Sequence, residues 1–408
     1  MSIITLFSGT FCNAEAVAQT LQQRTGYRLI ADADIVAMAG SLSGIPIPKI
    51  ERAFSAQPSV FNKFTRERER NVAHLRLALA HMLQQDDLLI DGFAGQLIPR
   101  SISHVLKVCL IADLKARTQT AVQAMEVTGA EAVKLIRKQD EDRAAWMQFV
   151  WNANDPWDAE LYDMVLPTDK MGLEETVAAV VENAGAAVVR QTPRSRQAIE
   201  DFKLAAQVEI ALVKEGHNVS VAAQDGAVNL TIDKHVLMLG RLENELKTVA
   251  ARVPGVRSVQ TKVGPGFYQA DIYRRHDFNV PSKILLVDDE REFVQTLSER
   301  LLMRDLGSAV AYDGESALEV AREDEPDVMI LDLKMPGIDG IEVLRRVKNT
   351  QPDIEVIILT GHGTEKDRQL CMQLGAFAYL QKPVDVEELS ATIQRANEKI
   401  RARRSLPQ

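Results

Sequence analysis

Four apolar residues followed at once by three acids, Ile284-Leu-Leu-Val-Asp-Asp-Glu290, constrain this chain more than any other stretch. An unbroken apolar run of that length suits a strand buried on both faces, as in a parallel sheet. The acids that follow place charge where the strand leaves the core. The pattern recurs. Asp327-Val-Met-Ile-Leu-Asp332 is an apolar run ending in an acid, Val356-Ile-Ile-Leu-Thr360 one ending in a hydroxyl, and Ala378-Tyr-Leu-Gln-Lys-Pro383 one ending in a lysine. A shorter strand is expected near Ala309–Tyr312. Between them lie helical faces, first Phe293, Leu297 and Leu301, and at the end Val386, Leu389, Ile393, Ala396 and Ile400. Strand alternating with helix in this way predicts a doubly wound parallel sheet.

Ligands of such sheets bind at the carboxyl ends of the strands. Those ends carry Asp288, Asp289, Asp332, Thr360 and Lys382. Three neighbouring carboxylates resist shared ionisation, and a hard divalent cation relieves the conflict. A carboxylate held this way can attack phosphorus, with an ammonium neutralising the phosphoryl oxygens. The loop Met335-Pro-Gly-Ile-Asp-Gly340 is rich in turn formers, and Gly361 leaves the space after Thr360 open. His362 is read as an exposed loop residue and not as a phosphoryl carrier.

On these motifs the last part of the chain, about residues 282–402, resembles the response-regulator receiver family. The resemblance implies a flavodoxin-like five-stranded sheet and Mg²⁺ as cofactor. It makes Asp332 the phosphoacceptor and Asp288 and Asp289 the acidic pair, Asp289 being the more direct metal ligand. It gives the backbone carbonyl of Lys334 to the metal, catalytic roles to Lys382 and Thr360, and switch roles to Thr360 and Tyr379. It also implies a cis Lys382–Pro383 bond, and a domain that catalyses its own Mg-dependent aspartyl phosphorylation and dephosphorylation.

The chain opens with an apolar strand, Ile3–Phe7, a loop Ser8–Asn13, and a helix from Ala14 to Thr25 that ends before Gly26. Strand, loop and helix in this order are the setting of a phosphate-binding loop. Only Gly9 is present in it, and no Gly-Lys-Ser/Thr follows. Further along come Gly26-Tyr-Arg-Leu-Ile-Ala-Asp32, Leu88-Leu-Ile-Asp-Gly-Phe-Ala-Gly95, Val105–Ala112 with Arg117, Arg137–Arg143, and Leu161–Asp169. These stretches resemble the cytidylate kinase-like family over most of residues 1–185, with a degenerate phosphate loop. The resemblance implies a P-loop-kinase-like α/β domain. It makes Arg117, Arg137 and Arg143 candidate nucleotide-binding residues.

In the middle, Val219, Val221 and Ala223 alternate with other residues. Asp225-Gly226 predicts a hairpin turn, and Val228, Leu230 and Ile232 alternate on the return. Val236, Leu239, Leu242, Leu246, Val249 and Val253 share a helix face that Pro254-Gly255 stops, and Val256–Val263 closes the unit. This small α+β pattern resembles the BON domain, which implies a binding or oligomerising module. His217 and His235 lack metal-ligand spacing and are read as surface residues.

Two polar, proline-containing stretches, Arg190–Arg196 and Arg274–Ser282, are expected to be linkers. They divide the 408 residues into domains at 1–190, 197–273 and 282–402. A net charge of -9 disfavours broad attraction to nucleic acid or anionic lipid. Cys12, Cys109 and Cys371 show no CxxC spacing, which fits buried thiols in a reducing compartment. No apolar run reaches the ~18 residues of a membrane span, and a cytoplasmic location is expected.

The expected function is that of a two-component response regulator. It would take a phosphoryl group on Asp332 from a sensor histidine kinase or phosphotransfer protein. Output would pass through protein contacts on the receiver face of fourth helix, fifth strand and fifth helix, or through the upstream domains. The alternative is a nucleoside monophosphate kinase of cytidylate type regulated by receiver phosphorylation, although the loop makes nucleotide kinase activity doubtful. Direct DNA binding is not expected, because only Ile400-Arg-Ala-Arg-Arg-Ser-Leu-Pro follows the last helical face.

Overall fold

The computed structural model describes residues 2–233, 239–268, 283–304, 306–361 and 363–404. The linker Arg274–Ser282, His235, Val236 and His362 lie outside them. The chain divides into two compact units. One holds Met1–Pro58 and Arg68–Arg274; the other holds Ser59–Glu67 and Arg275–Gln408.

The first unit contains a five-stranded parallel sheet. Its strands are β1 (Ile3–Ser8), β2 (Arg28–Ala31), β3 (Leu88–Asp91), β4 (Val105–Ile111) and β5 (Met164–Pro167), in the order β2-β3-β1-β4-β5. β1 is central and almost wholly buried, as its run of apolar residues requires. The helix Ala14–Thr25 follows it and ends at Gly26 in the left-handed conformation. The same unit carries a three-stranded sheet of β6 (Ser220–Gln224), β7 (Ala227–Ile232) and β8 (Ser258–Val263). β6 and β7 form the expected antiparallel hairpin, and β8 joins β7 in parallel. One face of this sheet, with Val228, Leu230 and Ile232, packs with Leu242 and Leu246 of the helix Leu239–Ala251. His217, expected at the surface, is buried, its Nε2 3.6 Å from Glu245 Oε1.

The expected linker at Arg190–Arg196 is corrected by the structure. Pro193 is the first residue of a long helix, Pro193–Lys214, capped by Thr192, whose hydroxyl accepts from Ser195 N at 3.0 Å. Proline fits the first helical turn because its missing N–H would have no partner there. Polar composition in this stretch marks a helix cap, not a break. The helix contributes Ile199 and Phe202 to one apolar core, and Leu204, Val208 and Leu212 to the core under β7.

The second unit holds the other parallel sheet, of β9 (Ile284–Val287), β10 (Ser308–Ala311), β11 (Val328–Leu331), β12 (Glu355–Thr360) and β13 (Ala378–Gln381). Its order is β10-β9-β11-β12-β13, with all neighbours parallel, so the order in which strands are added across the sheet switches sides between β9 and β11. β9, β11 and β12 are buried along their whole length. Apolar clusters cover both faces. Leu285, Met329 and Ile358 lie in one; Leu286, Ile330 and Ile357 lie in the other with Leu389 and Ile393 of the last helix, Val386–Arg404.

Glu355, at the start of β12, is fully buried and receives Lys399 Nζ at 2.9 Å and Arg403 Nη2 at 2.9 Å, with Lys348 Nζ at 3.9 Å. A buried carboxylate needs such partners, and they tie the last helix to the sheet. Glu355→Gln is expected to lower the stability of this unit by about 1–3 kcal/mol in urea denaturation.

Candidate functional site

β9 and β11 are adjacent and in register, Val287 opposite Leu331, so the residues that follow them emerge side by side. Asp288, Asp289 and Asp332 accordingly offer carboxylate oxygens that all lie within 4.8 Å of one another. β12 and β13 flank them, Thr360 opposite Gln381, and this brings Thr360 and Lys382 to the same end of the sheet. All five polar residues expected there from the sequence share one strand-end cluster.

Lys382 Nζ lies 2.6 Å from Asp288 Oδ2 and 3.0 Å from Glu290 Oε1, and 4.4 Å from the centre of the Phe293 ring. Asp288 also accepts from Glu290 N at 2.9 Å. Asp332 is buried; its Oδ2 accepts from Lys334 N at 3.2 Å. Its Oδ1 is buried with no hydrogen-bond partner among the described residues. An anionic oxygen left this way is unfavourable unless something cationic or a donor reaches it. The trio therefore suits a hard divalent cation, which would take one oxygen from each acid.

Burial pushes the Asp288 carboxyl above the usual carboxylate range, and the bonds from Lys382 and Glu290 N only partly offset it. For Lys382, burial works against the charge, but Asp288 and Glu290 outweigh it and hold the ammonium above the usual lysine range. The two upward shifts have different causes: burial raises Asp288 against the pull of Lys382, whereas the neighbouring acids raise Lys382 against burial. The Lys382 contribution to stability is present below the ordinary lysine range and is lost as pH rises through its raised value. The Asp288 contribution has its full value below the ordinary carboxylate range and is lost as pH rises through its raised value.

Thr360 is fully buried, and Tyr379 sits half-buried with a hydroxyl that has no partner among the described residues. Gly363 is what makes room for it: a Cβ there would overlap the Tyr379 hydroxyl and press on Thr360 Cγ2. The Lys382–Pro383 bond is cis. Sequence reasoning missed Glu290 and Phe293 as partners of Lys382. Glu290 was in view as the third acid of the motif, but nothing in the sequence joins it to a lysine on another strand.

In the first unit the candidate arginines separate. Arg117 donates from Nε to Thr10 O at 2.7 Å and from Nη2 to Asp140 Oδ1 at 2.7 Å. Arg143 donates from Nε to Ser8 O at 2.6 Å and stands over the Phe93 ring. Both thus reach the Ser8–Asn13 loop, but through its carbonyls. Arg137 is exposed on the helix Gly129–Trp151, and the whole stretch Arg137–Arg143 is part of that helix. Asp32, just past β2, accepts from Phe93 N and Ala94 N at 2.7 and 2.8 Å, and burial pushes its carboxyl up to about 6. Asp32 is an acid at a strand end like those of the second unit, but both its oxygens are taken up by backbone N–H groups.

Residues 284–394 match the family model "Response regulator receiver domain". This part of the chain is a receiver domain. Residues 3–170 match the model "Cytidylate kinase-like family". Transcriptional regulatory protein CpxR of Escherichia coli (strain K12) is 44% identical over 113 residues, 28% of this chain and 48% of that protein. Response regulator MprA of Mycobacterium leprae (strain TN) is 38% identical over 112 residues, 28% of this chain and 49% of that protein. The chain thus spans about half the length of the curated relatives it matches. A solved receiver domain protein from Clostridium thermocellum is 36% identical, with 30% of this chain and 98% of that chain covered and a TM-score of 0.29. No described helix is long and apolar enough to cross a membrane.

Replacing Lys382 with methionine removes the bond that lowers the Asp288 carboxyl. Its titration, followed by carboxyl carbon NMR, is expected to move further upward; an unchanged midpoint would contradict the pairing.

Proposed function

We propose that this protein is a two-component response regulator that accepts a phosphoryl group on Asp332. The observation that carries this is the buried, unpartnered Asp332 Oδ1, set beside two further acids with Lys382 at the same strand end. Asp332 is the only one of the three whose carboxylate oxygen is both buried and without a hydrogen bond among the described residues. The Asp332 carboxylate would attack the donor's phosphorus, forming the new P–O bond while the bond to the donor nitrogen or acyl oxygen breaks. The electron pair of that bond leaves with the donor. Lys382 would exchange its contact with Glu290 for a phosphoryl oxygen, and the Thr360 hydroxyl would donate a hydrogen bond to another.

Asp288, Asp289, Asp332 and the Lys334 carbonyl are the residues proposed to hold Mg²⁺, with Asp289, the exposed acid, closest to solvent. The ion would neutralise charge that builds on the phosphoryl oxygens. Thr360 and Tyr379 are the proposed switch pair, and Gly363 leaves the slot that the tyrosine hydroxyl fills. The proposed donor is a sensor histidine kinase or phosphotransfer protein, and the proposed setting is the cytoplasm.

The proposed domain organisation is a first domain over 1–190, a BON-like part that begins with the helix Pro193–Lys214 and runs to 273, and the receiver at 282–402. The first domain is proposed to serve as a nucleotide-kinase-like module that has lost phosphate chemistry. Its loop has one glycine, and Arg117 and Arg143 each give their Nε–H to a loop carbonyl. Output is proposed to run through protein contacts and not through direct binding of DNA.

Incubation of the full chain with acetyl phosphate and Mg²⁺ should add one phosphoryl group, seen by intact mass. Asp332→Ala should abolish it, and equal labelling of that variant would overturn the proposal. Mg²⁺ binding, followed by calorimetry, should weaken roughly tenfold, or ~1.4 kcal/mol, in Asp289→Asn. It should also weaken as pH falls from neutral, beginning above the ordinary carboxylate range, because protons compete for the raised Asp288 carboxyl.

A further inference from the structure

The receiver unit is not built from the C-terminal residues alone, because Ser59–Glu67 belongs to the same compact unit as Arg275–Gln408. Both sequence neighbours of this insert, Pro58 and Arg68, are assigned to the other unit. Phe61 is fully buried, in the apolar cluster that holds Leu285, Leu333 and Met335, with Tyr379 packed against it. Leu333 and Met335 come directly after Asp332, so Phe61 shares a core with the residues that carry the acceptor. The turn Asn62–Thr65 sets Phe64 against Gly307, where any Cβ would overlap its ring. Glu67 Oε2 pairs with Lys283 Nζ at 2.8 Å, both side chains being little exposed. Glu67 is also the first residue of the helix Glu67–Met82.

We propose that Ser59–Glu67 is the internal output element of the receiver, docked through Phe61, Phe64 and Glu67 and re-seated when Asp332 is phosphorylated. The second half of this rests on the proposed phosphoacceptor function. The surface matches its occupant in chemistry: an apolar cluster receives one ring, a glycine admits the other, and an ammonium meets the carboxylate. Tethering at both ends gives the insert a high effective concentration, so a weak intrinsic contact suffices to keep it seated. A close-packed core does not absorb displacement locally, so a shift of the Asp332 loop is passed to Phe61. Glu67 then carries the shift into the first turn of the helix that it opens.

Limited trypsin digestion of the full chain at Lys63 and Arg66, read by mass spectrometry, tests both parts. Phe61→Ala and Gly307→Ala should speed cleavage there by about tenfold or more, while cleavage elsewhere in the receiver keeps its native rate. Lys283→Glu and Glu67→Lys should each accelerate it, and the double reversal should restore the native rate. Native rates in all single variants, or a double variant no slower than the singles, would overturn the docking. With acetyl phosphate and Mg²⁺, protein shown by mass to carry the label should be cut at a rate at least threefold different from unlabelled protein. Equal rates would overturn the output role. Failure to label at all would overturn the phosphoacceptor reading instead, and the charge reversal would still decide the docking.

Discussion

The receiver site depends on one ion pair, Lys382 with Asp288 at 2.6 Å. Three acids share one strand end, and without a cation their mutual repulsion would open it. Lys382 supplies that cation from the far side of the sheet. It is steadied by Glu290 and the ring of Phe293, neither of which shares its strand. The pair therefore clamps β13 to β9 across the mouth of the site. The upward shift of Asp288 reflects its burial, which Lys382 offsets only in part.

The remaining geometry follows from strand order. The switch in strand order between β9 and β11 opens a crevice at their carboxyl ends, where Asp288 and Asp332 lie close together. Thr360 and Tyr379 stand next to it, and Gly363 keeps the tyrosine hydroxyl beneath the loop. At the opposite end of β12, Glu355 collects Lys399 and Arg403 and fixes the last helix. One sheet is thus held by charge at both ends and by apolar packing between.

The first unit has the same kind of sheet with different chemistry at its strand ends. Arg117 and Arg143 turn to carbonyls of the Ser8–Asn13 loop, while Asp32 caps the backbone at Phe93 and Ala94. Part of the donor capacity of each guanidinium is thus used within the protein.

The five strands of the receiver, their acids, and the helix faces of Leu297 and Ile393 were legible in the residues, because burial on both faces demands unbroken apolar runs and solvent demands their polar ends. The hairpin at Asp225-Gly226 was legible for a similar local reason. The linker expected at Arg190–Arg196 was not, since a polar stretch with a proline reads the same whether it caps a helix or joins two domains. The partnership of Lys382 with Glu290 and the burial of His217 were equally hidden. So was the docking of Phe61, more than two hundred residues from the strands it packs with. Local pattern determines which residues must be inside and which must end a strand; which distant residues meet is decided only when the chain folds, because those contacts depend on topology and leave no periodic trace.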